Sequence, residues 1–222
     1  MFAQALLDDE SLAFVFVNDG SSDDSRAQLL AMLNDYPSVL FFALQRNRGK
    51  GSAVKAGFYF ARSLGFTHAI QIDADGQHDV ADVAEFVRRS QEQPDAIICG
   101  KPVFDKSAPK ARVYGRKVTD FWVALETLSL RIKDGLCGFR VYPLTQLENV
   151  LDHYFVGNRM DFDTELLVKA VWLNIELVYI KTKKPQRIAV VGGGVAGMSA
   201  ATVAASRGHA VTLFEASTDV GG

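Results

Sequence analysis

The chain has 222 residues, 48% hydrophobic and 23% charged, with a formal net charge of −2. That profile fits a globular protein with a sizeable core, built as one large domain or one domain plus a fragment. The near-neutral balance supplies no whole-chain basic field, so no nucleic-acid partner is expected.

Two cysteines, Cys99 and Cys137, cannot make a disulfide framework and read as small buried hydrophobes in a reducing compartment. Residues 1–8 lack the basic start of a signal peptide and turn acidic at once. No apolar run approaches the ~20 residues of a membrane span. The expectation is a cytoplasmic protein, with peripheral contact at a membrane surface left open.

In chain order, residues 2–7 read as a helix and 12–17 as a buried strand ending in the turn-rich Asn18-Asp-Gly-Ser-Ser-Asp-Asp24. Residues 25–34 have helical spacing, with Leu29, Leu30 and Leu33 on one side. A strand at 39–44 leads into a polar loop at 45–51, then a helix at 52–64 with Val54, Phe58 and Ala61 on its apolar face. A strand at 69–72, a helix at 80–89 and a strand at 96–99 continue the alternation, and 175–180 is a further strand. Strands alternating with helices predict an α/β protein with a mostly parallel sheet covered on both faces. Ligands of such sheets lie beyond the carboxyl ends of the strands, which selects the loops after residues 17, 44 and 72.

The third of these loops holds Gln71-Ile-Asp-Ala-Asp-Gly-Gln-His78. Residues two apart in an extended segment point the same way, so Asp73 and Asp75 can face one pocket. Two hard oxygen ligands suit Mg²⁺ or Mn²⁺, which complete their shells with water and phosphate oxygens. A metal bridging a diphosphate neutralises the charge growing on a leaving nucleotide. A plain strand-ending turn accounts for the same residues. Gly49-Lys-Gly-Ser52 is not a P-loop, because the upstream glycine is absent and Gly51 separates Lys50 from Ser52.

Taken in order, Asn18-Asp-Gly-Ser-Ser-Asp23, Asn47-Arg-Gly-Lys-Gly51, Asp73-Ala-Asp-Gly-Gln-His78, Asp134-Gly-Leu-Cys-Gly-Phe-Arg-Val-Tyr-Pro143 and Arg159-Met-Asp-Phe-Asp-Thr-Glu-Leu-Leu167 resemble the family two glycosyltransferases, nearest their polyprenyl-phosphate mannosyltransferase-like and related bacterial branches. The resemblance covers residues 1–180 and implies the GT-A fold. It also implies metal-dependent, inverting transfer of a sugar from a UDP- or GDP-linked donor to a lipid-phosphate or other acceptor. By that resemblance Asp19, with Asp23 nearby, would hold the nucleoside and Lys50 would lie beside the nucleotide, although a solvated lysine is the plainer alternative. Asp73 would contact ribose or sugar, Asp75 would ligate the metal, and Gln77 would support it. His78 reads as a loop residue. Arg140 would pair with diphosphate or an acceptor phosphate, unless it makes an ordinary surface ion pair.

The candidates for a general base are Asp163 first and Glu165 second, with Asp161 beside them. Acidic residues at the positive end of a helix explain them equally well, and a phosphate acceptor, already ionised, needs no strong base. The sequence departs from the family in one respect. The family's first strand has no counterpart here, which implies a sheet short of one central strand and backbone groups left without partners.

At Lys181-Thr-Lys-Lys-Pro-Gln-Arg187 the composition shifts toward that of a linker. Beyond it, a strand at 188–191 precedes Gly192-x-Gly194-x-x-Gly197, a helix at 198–207 and a strand at 210–214 ending at Glu215. That order is the dinucleotide-binding fingerprint, with the acid for a ribose. It resembles the start of the FAD/NAD-binding domain of flavoprotein oxidoreductases, particularly the old yellow enzyme-like reductases, and Gly221-Gly222 fits the continuation. The expected organisation is a glycosyltransferase-like domain at 1–180, a linker at 181–187 and a partial Rossmann unit at 188–222. One βαβ unit covers only part of a dinucleotide's surface, so neither FAD nor NAD is expected to bind and the tail reads as a foreign piece. The tail's strands could instead complete the main sheet. The competing functional readings are a flavin- or nicotinamide-dependent oxidoreductase fragment and an inactive chimera.

Overall fold

A computed structural model describes residues 12–22, 25–35, 39–73, 78–103, 110–183, 187–191 and 210–214. The apolar strand β1 (Phe14–Asn18) leads through helix α1 (Ser25–Asp35) to β2 (Val39–Ala43). The two strands pair in parallel, Phe14 opposite Val39 and Asn18 opposite Ala43, as a helical crossover permits. Helix α2 (Lys50–Ser63) packs on β1 and reaches β3 (His68–Gln71).

A short 3₁₀ turn (Val80–Asp82) opens α3 (Val83–Glu92), followed by β4 (Ile97–Val103), α4 (Lys110–Thr127) and β5 (Arg140–Pro143). Then come α5 (Leu144–His153), α6 (Phe162–Trp172) and β6 (Leu177–Lys183). The second sheet has the order β3-β5-β4-β6. It is mixed where the alternating pattern predicted mostly parallel pairing. β4 and β6 are parallel, and β5 runs against both β3 and β4. The cause is the direction of entry: the chain reaches β5 from the site end, so Arg140 pairs with Gln71 and Pro143 with His68.

Alternate residues of this sheet feed two cores. Ile97, Cys99 and Tyr142 face one cluster with Phe58, Val123, Leu147 and Leu166 from α2, α4, α5 and α6. Ile98 and Val141 face the other, with Val83 and Phe86 of α3 and with Phe139. Phe86 and Phe139 stack with centroids 4.1 Å apart. Both faces are therefore covered, as the period of two along each strand requires.

Among the described residues a gap in the hydrogen-bonded ladder separates the β1–β2 pair from the four-stranded sheet. The tail does not fill that gap. Its strands β7 (Arg187–Val191) and β8 (Ala210–Phe214) pair with each other, in parallel, as a sheet of their own. β6 also runs further than predicted, because Lys181 to Lys183 pair with Lys101 to Val103 of β4. The first residues of the expected linker are thus strand, and the helix expected at 2–7 lies outside the described residues.

Candidate active site

Four loops at the carboxyl ends of β1, β2 and β3 and ahead of β5 meet the first turn of α6. The first is braced from within, since the buried Asn18 accepts the backbone N–H of Ser21 at 2.8 Å. Asp19 then clamps the second loop, its two oxygens accepting the N–H groups of Arg48 and Gly49 at 2.8 and 2.9 Å. Gly20, at φ 65°, rests on the Arg46–Asn47 backbone, where a Cβ would lie 2.4 Å from the Arg46 carbonyl carbon. Only glycine allows that approach.

Lys50, the first residue of α2, is the hub. Its Nζ donates to Asp73 Oδ2 at 2.8 Å and to Asp163 Oδ2 at 2.7 Å. Burial opposes its charge, but hydrogen bonds and Coulombic attraction from Asp163 and Asp73 outweigh it, and the ammonium pKa is raised. Gly138 lies against the same group. A Cβ there would sit 2.6 Å from Asp73 Oδ2 and 2.9 Å from Lys50 Nζ.

Asp163 is 4% exposed and receives a second donor, Gln71 Nε2 at 2.8 Å. Behind it Arg140, fully buried, spends its guanidinium on the carbonyls of Asp163 and Gly135 and on the Tyr142 hydroxyl. Tyr142 in turn donates to Gln71 Oε1. Burial again opposes the charge on Arg140, yet Tyr142, Cys99 and Asp163 leave its pKa raised. The network thus fixes both the carboxylate and the cation facing it, and leaves Asp73, with 29% of its side chain exposed, as the group turned toward solvent.

A model of the family described as Glycosyl transferase family 2 matches residues 2–154 of the chain. The chain belongs to that family. A dolichyl-phosphate beta-glucosyltransferase of Trichomonas vaginalis is 28% identical over 164 residues, 70% of this chain and 49% of that protein. The chain thus spans about half the length of that curated relative. Glucosyl-3-phosphoglycerate synthase from Mycobacterium tuberculosis, solved with Mn²⁺, UDP-glucose and glycerol 3-phosphate, superposes with a TM-score of 0.54 at 12% identity. That match covers 78% of this chain and 60% of the other, and it bears on the fold alone. An NAD(P)-binding Rossmann-like domain model matches residues 190–222. An L-amino-acid oxidase of Mus musculus is 45% identical over 62 residues, 28% of this chain and 9% of that protein.

In this family 2 domain the predicted site residues divide into three groups. Asp19, Lys50, Asp73 and Asp163 converge through the contacts above. Arg140 and Glu165 belong to the framework instead. Arg140 is inside the protein with 0% exposure, so direct pairing with a diphosphate gives way to an internal role. Glu165 turns from Asp163 toward the preceding loop, where it accepts the Gly157 N–H at 2.8 Å and attracts Lys55. The third group, Asp23, Asp75, Gln77, Gly192, Gly194, Gly197 and Glu215, lies outside the described residues. His78 places its ring 5.2 Å from that of Phe139, a loop contact.

Sequence reasoning missed Gln71, Tyr142 and Gly138. The signal for Gln71 was available, because an amide closing the strand His68-Ala-Ile-Gln71 is polar where the pattern calls for an apolar residue. Among the described residues no group of three or more His, Cys, Asp or Glu side chains is gathered as a metal would need. Asp73 offers the hard oxygen chemistry such a metal prefers.

Proposed function

We propose that this domain transfers a sugar from a UDP- or GDP-linked donor to a phosphate-bearing acceptor, a lipid phosphate first among them, with inversion and with a divalent metal. The observation that carries the reading is the engagement of Asp163. Both its oxygens already take donors, from Gln71 and Lys50, and the side chain is almost wholly buried. An acceptor hydroxyl would have to displace one of these before Asp163 could take its proton. A phosphate acceptor is ionised beforehand and needs no such base. One relative is named a dolichyl-phosphate beta-glucosyltransferase, a name that pairs a sugar with a lipid phosphate.

In this reading Asp75, supported by Gln77, holds Mn²⁺ or Mg²⁺, which would offset charge on the departing diphosphate. Asp19 and Asp23 serve the nucleoside side, and Asp73 meets ribose or sugar while Lys50 holds its orientation. Arg140, Tyr142 and Gln71 keep Asp163 and Lys50 in place. We assign the glycosyltransferase domain to residues 1–180 and treat the Rossmann-like tail as an addition that takes no part in transfer. The test offers polyprenyl phosphate and the corresponding polyprenol to the full chain with labelled UDP- and GDP-sugars and Mn²⁺. The expected product forms only on the phosphate. Equal transfer to the alcohol would restore a base to the mechanism and overturn the reading.

A further inference from the structure

Helix α4 carries an apolar stripe that nothing in the described chain covers. Val118, Phe121, Trp122 and Leu125 follow the i, i+3, i+4, i+7 spacing of one helical face, and they are 58%, 63%, 61% and 53% exposed. Leu128 and Leu130, just past the helix, extend the stripe at 88% and 84%. The opposite face is anchored in the main core through Val123, 4% exposed, so the outward stripe is not a misplaced core face. Contiguous exposed apolar surface of this kind marks an interaction site.

The charge along the same helix says what the partner is. Four of the eight residues from Lys110 to Lys117 are basic and none is acidic, in a chain whose net charge is −2. At the other end Leu130 lines an open depression with Arg131, Lys133, Asn174 and Glu176, where the Arg131 guanidinium donates to Asn174 and to the Ile175 carbonyl. Asp120 and Glu126 are the helix's acids. A basic first half followed by a stripe of Phe, Trp, Leu and Val is the pattern of a helix lying in the headgroup region of an anionic bilayer. At about 1.5 Å per residue the helix is ~27 Å long, and no described helix is long and apolar enough to cross a membrane. α4 also packs against α6, whose first turn bears Asp163.

We propose that α4 is a membrane-docking helix that lays Val118, Phe121, Trp122, Leu125, Leu128 and Leu130 into the surface of an anionic lipid bilayer. The docked orientation brings the bilayer beside the helix that carries Asp163. This deepens the lipid-phosphate reading of the site and rests on that reading for its purpose, but the docking itself stands on the helix alone.

The test is co-sedimentation of the full chain with phosphatidylcholine vesicles, with and without phosphatidylglycerol. Binding is expected to the mixed vesicles, weakened by high salt, and about tenfold weaker for Phe121→Glu and for Trp122→Ser. Both positions are exposed, so both variants should keep the wild-type circular dichroism and urea midpoint. In a Trp172→Phe background, Trp122 fluorescence should shift to the blue on binding and be quenched by brominated lipid. Absence of vesicle binding, or binding that ignores Phe121→Glu, would overturn the proposal. So would a wild-type dimer that Phe121→Glu dissolves without any vesicle binding, since a second copy would then be what covers the stripe. UDP and GDP binding by Phe121→Glu should match the wild type. Loss of nucleotide binding in the wild type would remove the transfer reading and leave the docking result standing.

Discussion

Arg140 shows how much of this site is held from behind. Its guanidinium satisfies two main-chain carbonyls and the hydroxyl of Tyr142 without touching solvent. Arg140→Leu strands those acceptors in a dry interior, at a cost of about 3 kcal/mol. Urea unfolding should show a lower midpoint with an unchanged slope; an unaltered midpoint would mean that the carbonyls find other donors. The buried titratable groups make a second prediction. Burial pushes the Cys99 thiol up to about 12 from 9.0 and raises the Tyr142 phenol, while Asp163 and Asp73 raise Lys50 against the opposing effect of burial. A group whose folded pKa is raised stabilises fully below its unfolded value, and that stability is lost as pH rises through the folded value. These three groups therefore leave stability level just below pH 9 and make it decline above, as Cys99, Tyr142 and Lys50 come into play in turn from 9.0, 10.0 and 10.5. Cys99→Ala should remove the part of the decline that begins near pH 9. A wild-type profile flat to pH 11 would contradict the assignment.

Among the elements, the loop before α2 depends on a carboxylate from another strand. Asp19 holds the Arg48 and Gly49 amides, and Gly49, at φ 97°, sits where a Cβ would meet the Asn158 carbonyl at 2.5 Å. Asp19→Ala should speed hydrogen exchange at those two amides by about tenfold or more, equivalent to roughly 1.4 kcal/mol of lost protection. Unchanged exchange would mean that packing, not the clamp, holds the loop. Elements of this kind were legible in the sequence where apolar runs ended in Asp, Asn and Gly. β1 and β3 fall within two residues of their predicted bounds for that reason. β5 was not, because Arg140-Val-Tyr-Pro143 is only four residues long and closes in Pro, and its reversed direction follows from how the chain enters it. α4 was missed although Val118, Phe121, Trp122 and Leu125 keep helical spacing. At the site, Asp73 was legible from its place in the loop after β3, while Lys50 and Asp163 stood out through the motifs that carry the family resemblance. Their mutual pairing was not, since it depends on α2 and α6 meeting over residues far apart in sequence.

For the molecule as a whole, the ordering of loops along a GT-A scaffold is what joins sequence to function. Family 2 membership over residues 2–154 and the convergence of Asp19, Lys50, Asp73 and Asp163 at one sheet end agree with each other. Among the described strands, β7 and β8 pair only with each other. The proposed metal-dependent sugar-nucleotide site is open to calorimetric titration of UDP and GDP into the full chain. Saturable binding of at least one nucleotide is expected with Mn²⁺ present, lost on chelation and weakened at least tenfold by Asp75→Ala, about 1.4 kcal/mol. Binding of neither nucleotide, or an affinity indifferent to chelator and to Asp75→Ala, would contradict it.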